Sequence, residues 1–180
     1  MQQPYQARHG AGITPVDPAL LNRPIDYLHA VHLCERELCA LLERIAARGH
    51  ARTDEIEAAR GFLSGDLPAH LEDEEQDLFP LLRLRCEAED EIDRLLDRLQ
   101  DDHRHARPDA RAVLDILHAP SRLSARATGV LRRFADHARR HLILENAILI
   151  PFARLRLTGA DLDTLRASMR RRRGLATPVD

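Results

Sequence analysis

Four long segments of this chain carry apolar residues at intervals of three and four. None carries the alternation of a strand, which restricts the chain to helices packed on helices. The first segment runs from Leu20 to Arg48, with Leu28, Val31, Leu38, Leu41, Leu42 and Ile45 at helical spacing and Gly49 as its stop. The second opens with Thr53 as N-cap and Glu57 in an acidic first turn, and runs towards Cys86. Pro68 and Pro80 are expected to bend or split it. A third helix is expected from about Glu89 to Leu117, kinked at Pro108 and closed by Ala119, Pro120 and Ser121. A fourth is expected from about Arg122 to Leu157, ended by Thr158 and Gly159, and Asp161 to Arg173 can add a short fifth. The expected fold is all-α: an up-down-up-down four-helix bundle over residues 20–157. A flexible leader (1–19) precedes it, and a short helix with a basic tail (158–180) follows.

Composition narrows the function. The chain has 180 residues, room for one domain with a sizeable core. Aromatics are 3% with no Trp, so Leu, Ala, Ile and Val must build that core. All 27 basic residues are Arg, which excludes Schiff-base and P-loop lysine chemistry. A net charge of -2 lacks the basic excess of a general nucleic-acid binder, and the cluster Arg170 to Arg173 reads as a solvated end. Cys34, Cys39 and Cys86 form no CxxC pair and read as small buried hydrophobes in a reducing compartment. A redox-sensing role for Cys34 and Cys39 is the alternative. The start has no signal pattern, and the apolar stretch Leu142 to Phe152 is broken by Glu145 and Asn146. A cytoplasmic chain without a membrane span is expected.

Ten histidines remain to be explained. His9, His50 and His118 fall in the leader or at helix ends and are assigned no role. His70 and Glu74 are four apart, as are His141 and Glu145, so each pair sits on one helix face a turn apart. The register then selects two more. In antiparallel helices joined by short loops, residues equidistant from a turn lie at one level. The midpoint of His32 and His70 falls at 51, that of His70 and His103 at 86.5, and that of His103 and His141 at 122. All three midpoints fall at expected turns. One histidine from each helix and two glutamates are thereby brought to one level of the interior.

Such a set cannot be a self-satisfied core, because unpartnered buried carboxylates cost several kcal/mol each. A pair of divalent cations resolves it, with His32, His70, His103 and His141 each binding one and Glu74 and Glu145 bridging. Imidazole and carboxylate without thiolate favour iron, manganese or zinc over copper(I) or an iron–sulfur cluster.

These residues resemble the hemerythrin-like (HHE) cation-binding domain. The matching strings are IDYLHAVHLCEREL around His32, LPAHLEDEEQDLFPLL around His70 and Glu74, LQDDH ending at His103, and RHLILENAILIP around His141 and Glu145. The resemblance spans about Leu20 to Leu157 and implies a four-helix bundle with two non-haem irons, oxo- or hydroxo-bridged. It implies the same six ligands, with manganese or zinc as the lesser alternatives. The oxygen-carrying members place two histidines four apart on the third helix. Here the positions four either side of His103 are Leu99 and Arg107. They also end with His followed five later by Asp, where this chain has Asn146. The set is more similar to the iron-centre repair and iron-sensing members, and it leaves coordination positions for water, dioxygen, peroxide or nitric oxide.

The expected function is therefore binding or sensing of dioxygen, peroxide, nitric oxide or iron. The alternative is a di-iron enzyme acting on peroxide or nitric oxide, or an iron donor in cluster repair. The expected partner is a small diatomic or peroxide ligand, with neither nucleic acid nor membrane. A monomer or homodimer is expected, the latter if Arg132-Arg133 and Arg139-Arg140 meet acidic faces. His29, His137 and Tyr27 are candidates for places behind the ligands. His105 should face outward, and Asp73 and Glu75 should form a solvated acidic face.

Overall fold

The computed structural model describes residues 12–118 and 122–175. Among them no strand forms, and the chain is helical nearly throughout. Helix α1 is Pro24–Arg48, preceded by a 3-10 turn, Pro18–Asn22. Gly49 ends α1 at φ 75, a left-handed conformation that glycine adopts without a Cβ penalty. Helix α2 is one rod of three α-helical pieces, Thr53–Gly61, Leu67–Glu72 and Phe79–Arg85, joined by π-helical stretches Phe62–Asp66 and Asp73–Leu78. Helix α3 is Ile92–Ile116. Helix α4 comprises Ala125–Leu144, a π-helical stretch Glu145–Leu149, and Ile150–Arg156. Helix α5 is Gly159–Arg172.

The prolines explain the π-helical stretches. Each stretch ends one residue before an X-Pro pair: Leu67-Pro68, Phe79-Pro80 and Ile150-Pro151. Proline has no N–H for the carbonyl four residues back, and its ring crowds that carbonyl. Widening the preceding turn by one residue relieves both. Pro68 and Pro80 therefore widen α2 locally without splitting it. Pro108 lies inside an uninterrupted α3 on its exposed face. The widened turns carry chemistry, since Glu74 lies in the second stretch and Glu145 opens the third.

Ion pairs at separate levels link neighbouring helices. Asp26 meets Arg154 and Glu43 meets Arg139 between α1 and α4. Asp97 meets Arg83 and Arg107 meets Glu75 between α2 and α3. Arg156 meets Asp90 and His137 meets Asp109 along α3 and α4. At one end, Leu123 N–H donates to the Gly49 carbonyl at 2.8 Å and ties two connections together. The apolar stripes of all five helices, with Leu28, Leu38, Leu42, Phe62, Leu82, Leu99, Leu131 and Leu165 fully buried or nearly so, form one core.

Several expectations are corrected. The N-cap of α2 is Arg52 rather than Thr53, and the acidic first turn is Asp54 and Glu55. The Glu55 carboxylate accepts from Arg52 N–H at 2.9 Å. Within the expected leader, Ile13 is buried in the core, and Cys34 Sγ donates to the Thr14 carbonyl at 2.9 Å. Residues 1–11, with His9, lie outside the described residues. So do Ala119, Pro120 and Ser121, the expected close of the third helix.

The larger correction concerns the end of the chain. Arg172 and Arg173 are not solvated. Thr158 and Asp161 cap each other's backbone N–H at the start of α5, and Arg85 clamps Asp161 with two hydrogen bonds of 2.9 and 3.0 Å. Anchored there, α5 packs Leu165 and Met169 into the core and delivers its last arginines to α2. Arg173 donates to both oxygens of Asp73, at 3.1 and 2.6 Å, and to the Tyr27 hydroxyl at 3.1 Å. Arg172 pairs with Asp73, Glu72 and Asp77. A local reading sees only four consecutive arginines; the acidic partners of Arg172 and Arg173 lie about a hundred residues away.

Candidate metal centre

Four helices deliver six side chains to one buried point: His32 from α1, His70 and Glu74 from α2, His103 from α3, and His141 and Glu145 from α4. Their donor atoms form two overlapping groups. One is His32, His70, Glu74 and Glu145, the other His103, His141, Glu74 and Glu145, and within each all donors lie within 4.8 Å of one another. Both groups share both glutamates. His32 Nε2 stands 3.6 Å from Glu74 and 3.4 Å from Glu145. His70 Nε2 is 3.7 Å from Glu74. His103 Nε2 is 3.4 Å from Glu74 and 3.7 Å from Glu145, and His141 Nε2 is 2.7 Å from Glu145.

Groups behind the ligands set the imidazole tautomers. Asn146 Nδ2 donates to the Leu142 carbonyl at 2.8 Å, so its Oδ1 is what faces His32 Nδ1 at 3.0 Å. An amide oxygen only accepts, so His32 carries its hydrogen on Nδ1 and aims the Nε2 lone pair inward. Glu75 at 2.9 Å from His103 Nδ1 and Asp102 at 3.4 Å from His141 Nδ1 act in the same way. His103 Nε2 and His141 Nε2 then face each other at 3.1 Å. Two lone pairs so placed repel unless a cation or a proton lies between them.

The remaining polar atoms point the same way. His32 Nε2, both nitrogens of His70 and all four oxygens of Glu74 and Glu145 are buried without a hydrogen-bond partner. Each such group costs about 1–3 kcal/mol, more when charged. Two cations satisfy all of them except His70 Nδ1. Donors at about 2.1 Å from one metal stand roughly 3 to 3.5 Å apart, which matches the spacing here. The donor set fits a two-metal centre.

Electrostatics supports the same assignment. Burial disfavours charge on His32 and His141, but the glutamates outweigh it and hold each up at about 9; His103 is held up to about 11. Burial dominates at His70 and pushes it down to about 4. Without a cation, the charged form is favoured at His32, His103 and His141, so a cation bound there would compete with protons.

The candidates named for places behind the ligands divide. His137 lies 3.5 Å from Asp102, the residue that also faces His141. Tyr27 is buried against Arg173, whose guanidinium lies 4.8 Å over its ring, and is linked towards the centre through Asp73. His29 is exposed and belongs to the outer face of α1; a helical step of three carries it off the axis of His32. His105 is exposed, as expected. Asp73 and Glu75 are not a solvated face: Asp73 is fully buried on Arg172 and Arg173, and Glu75 bridges His103 and Arg107. Arg107, where the oxygen carriers' second histidine is absent, thus serves to hold Glu75.

Sequence reasoning misses Asp102, Glu75, Asn146 and Glu35 as parts of the site. Glu75 carries a usable signal, because it lies as far before the α2–α3 connection as His103 lies after it. Glu35 has none. It is buried to 5% exposure, and burial pushes its carboxyl up to about 7, with the nearby His141 opposing.

The cysteines are free, and Cys34 and Cys39 are buried. Burial pushes their thiols up to about 11 and about 12, which removes the thiolate needed for redox sensing. Mass-mapped alkylation of the native protein at pH 8 is expected to modify the half-buried Cys86 first. Cys34 or Cys39 reacting as fast as Cys86 would contradict this.

An all-helical protein with two carboxylate-sharing histidine groups in its interior is a cation-binding helical protein by construction. The family model described as hemerythrin HHE cation binding domain matches residues 23–153, and the chain belongs to that family. No curated protein and no solved structure matches it. No helix among the described residues is long and apolar enough to cross a membrane.

Proposed function

We propose that this protein is a non-haem di-iron protein whose centre binds or senses a small ligand such as dioxygen, peroxide or nitric oxide. In this reading α1 to α4 form an up-down-up-down bundle around the two metals. The observation that carries it is the pair of overlapping donor groups with two shared glutamates and inward-facing Nε2 atoms. His32 and His70 would hold one iron, His103 and His141 the other, and Glu74 and Glu145 would bridge them. Two irons with few protein donors supply redox-active open positions for an exogenous ligand. The chain's own part is to hold His32, His103 and His141 in one tautomer through Asn146, Glu75 and Asp102, and to keep bulk water from the glutamates by burial.

Nitrogen and oxygen donors without thiolate favour iron, manganese or zinc, and the family match supports a cation site. Elemental analysis of protein purified without added metal or chelator tests the reading. Two irons per chain are expected. Two zincs, or a single metal, would overturn the di-iron assignment.

A further inference from the structure

A small chamber adjoins the centre beside His141. Its walls include Leu67 and Leu71 of α2, Ala106 of α3 and Phe134 of α4, and its polar inner groups are His141 and Glu35. The cavity measures about 20 Å³. Roughly 10–15 Å³ by this measure admits one water, so the space suits a water or a diatomic molecule and little more. Asp102 and His137 stand at its mouth. They and Phe134 also line a larger surface cleft of about 630 Å³ between α3 and α4, which lies directly next to the chamber.

Two observations give this chamber a chemical direction. His141 retains 8% exposure, whereas His32, His103, Glu74 and Glu145 are at 0% and His70 at 1%. His141 is the one of the six donors that lines the chamber, which puts the chamber on the His103–His141 side of the centre. Glu35 makes no hydrogen bond or ion pair to any described residue, although it is only 5% exposed and shares the chamber with Leu67, Leu71, Phe134 and His141. A buried carboxyl without a partner is destabilising, and leucine would pack better in its place. Its missing partner is whatever occupies the chamber.

We infer that this chamber is the binding site for the exogenous small ligand, that the ligand enters between α3 and α4 and meets the His103–His141 half of the centre, and that Glu35 hydrogen-bonds it there. The inference rests on the di-iron reading, and it adds the half of the centre that is open, the size of ligand admitted and a seventh residue. The apolar remainder of the wall restricts the occupant to a small neutral or singly charged molecule with one hydrogen-bonding end.

Nitric oxide is a suitable probe, added to the reduced, iron-loaded full chain, with iron content measured in parallel. Glu35→Leu is expected to retain two irons, to bind nitric oxide about five-fold more weakly through loss of one hydrogen bond, and to shift the infrared N–O stretch. Glu35→Gln keeps a donor and is expected to restore most of both properties. Ala106→Leu fills the chamber and is expected to retain iron while slowing nitric oxide association. A wild type without two irons would refute the di-iron reading itself. Two irons in every variant, with the stretch, affinity and association rate of wild type, would overturn the chamber assignment alone. Iron loss in both Glu35 variants would make Glu35 a structural part of the centre and overturn its role as ligand contact.

Discussion

Glu74→Ala is expected to remove both metal ions together, whereas His70→Ala is expected to remove one. The difference follows from how the donors are shared. Glu74 belongs to both groups, while His70 belongs only to the group with His32. Without Glu74, two dications are left with neutral imidazoles and the single carboxylate of Glu145, too little negative charge to hold them near each other. Without His70, the His103–His141 group keeps all four of its donors. Metal content after gel filtration reads this directly. One ion retained by Glu74→Ala would show that the glutamate is not shared.

The same pair of variants has a stability consequence. A ligand that binds only the folded state stabilises it by mass action, by about 4 kcal/mol at a thousand times its dissociation constant. Thermal melts are therefore expected to separate wild type from Glu74→Ala widely in the loaded state. The separation should shrink once both are stripped with a chelator. An equal gap in the two conditions would mean that Glu74 acts through packing rather than through metal.

Asp73→Ala is expected to cost about 3–5 kcal/mol, with a melting temperature lower by roughly 10 °C. Asp73 is fully buried and receives Arg173 on both oxygens along with Arg172. Deleting the carboxylate leaves the buried Arg173 with Tyr27, the Met169 carbonyl and the charge of Asp66 in place of its two-oxygen partner. The double change Asp73→Leu with Arg173→Met removes both charges and is expected to recover much of the loss, because an apolar pair needs no compensation. Denaturant unfolding of the single and double variants gives the coupling. A single-variant loss under 1 kcal/mol would show that the pair does not hold α5 to α2. Asp73 immediately precedes Glu74 on the widened turn of α2, so this ion pair also anchors the backbone that aims the bridging glutamate.

Much of the centre is legible in the amino-acid sequence. Helix count and extents follow from apolar spacing and glycine or proline punctuation. The common level of His32, His70, His103 and His141 follows from counting outward from three turns, because antiparallel helices with short connections leave little freedom in register. The structure brings those four histidines together with Glu74 and Glu145. Local reading of polar residues fares worse. Four arginines in a row read as a solvated tail, and the acidic run after His70 reads as a solvated face. Arg172 and Arg173 of the first pair with Glu72, Asp73 and Asp77 of the second, and no turn between them sets their register.

The division between the two sources of information has a physical basis. The sequence by itself determined the helices, because backbone hydrogen bonds are satisfied within each helix and an apolar stripe declares the buried face. It also determined the donor set and its level, because rise per residue and short connections are nearly invariant. Only the tertiary structure decided which side chains stand behind the imidazoles, where α5 docks, and which half of the centre meets the chamber beside Glu35. Those depend on how each helix is rotated and offset against its neighbours. That rotation is set by the packing of the whole core, and by proline-widened turns that re-aim Glu74 and Glu145.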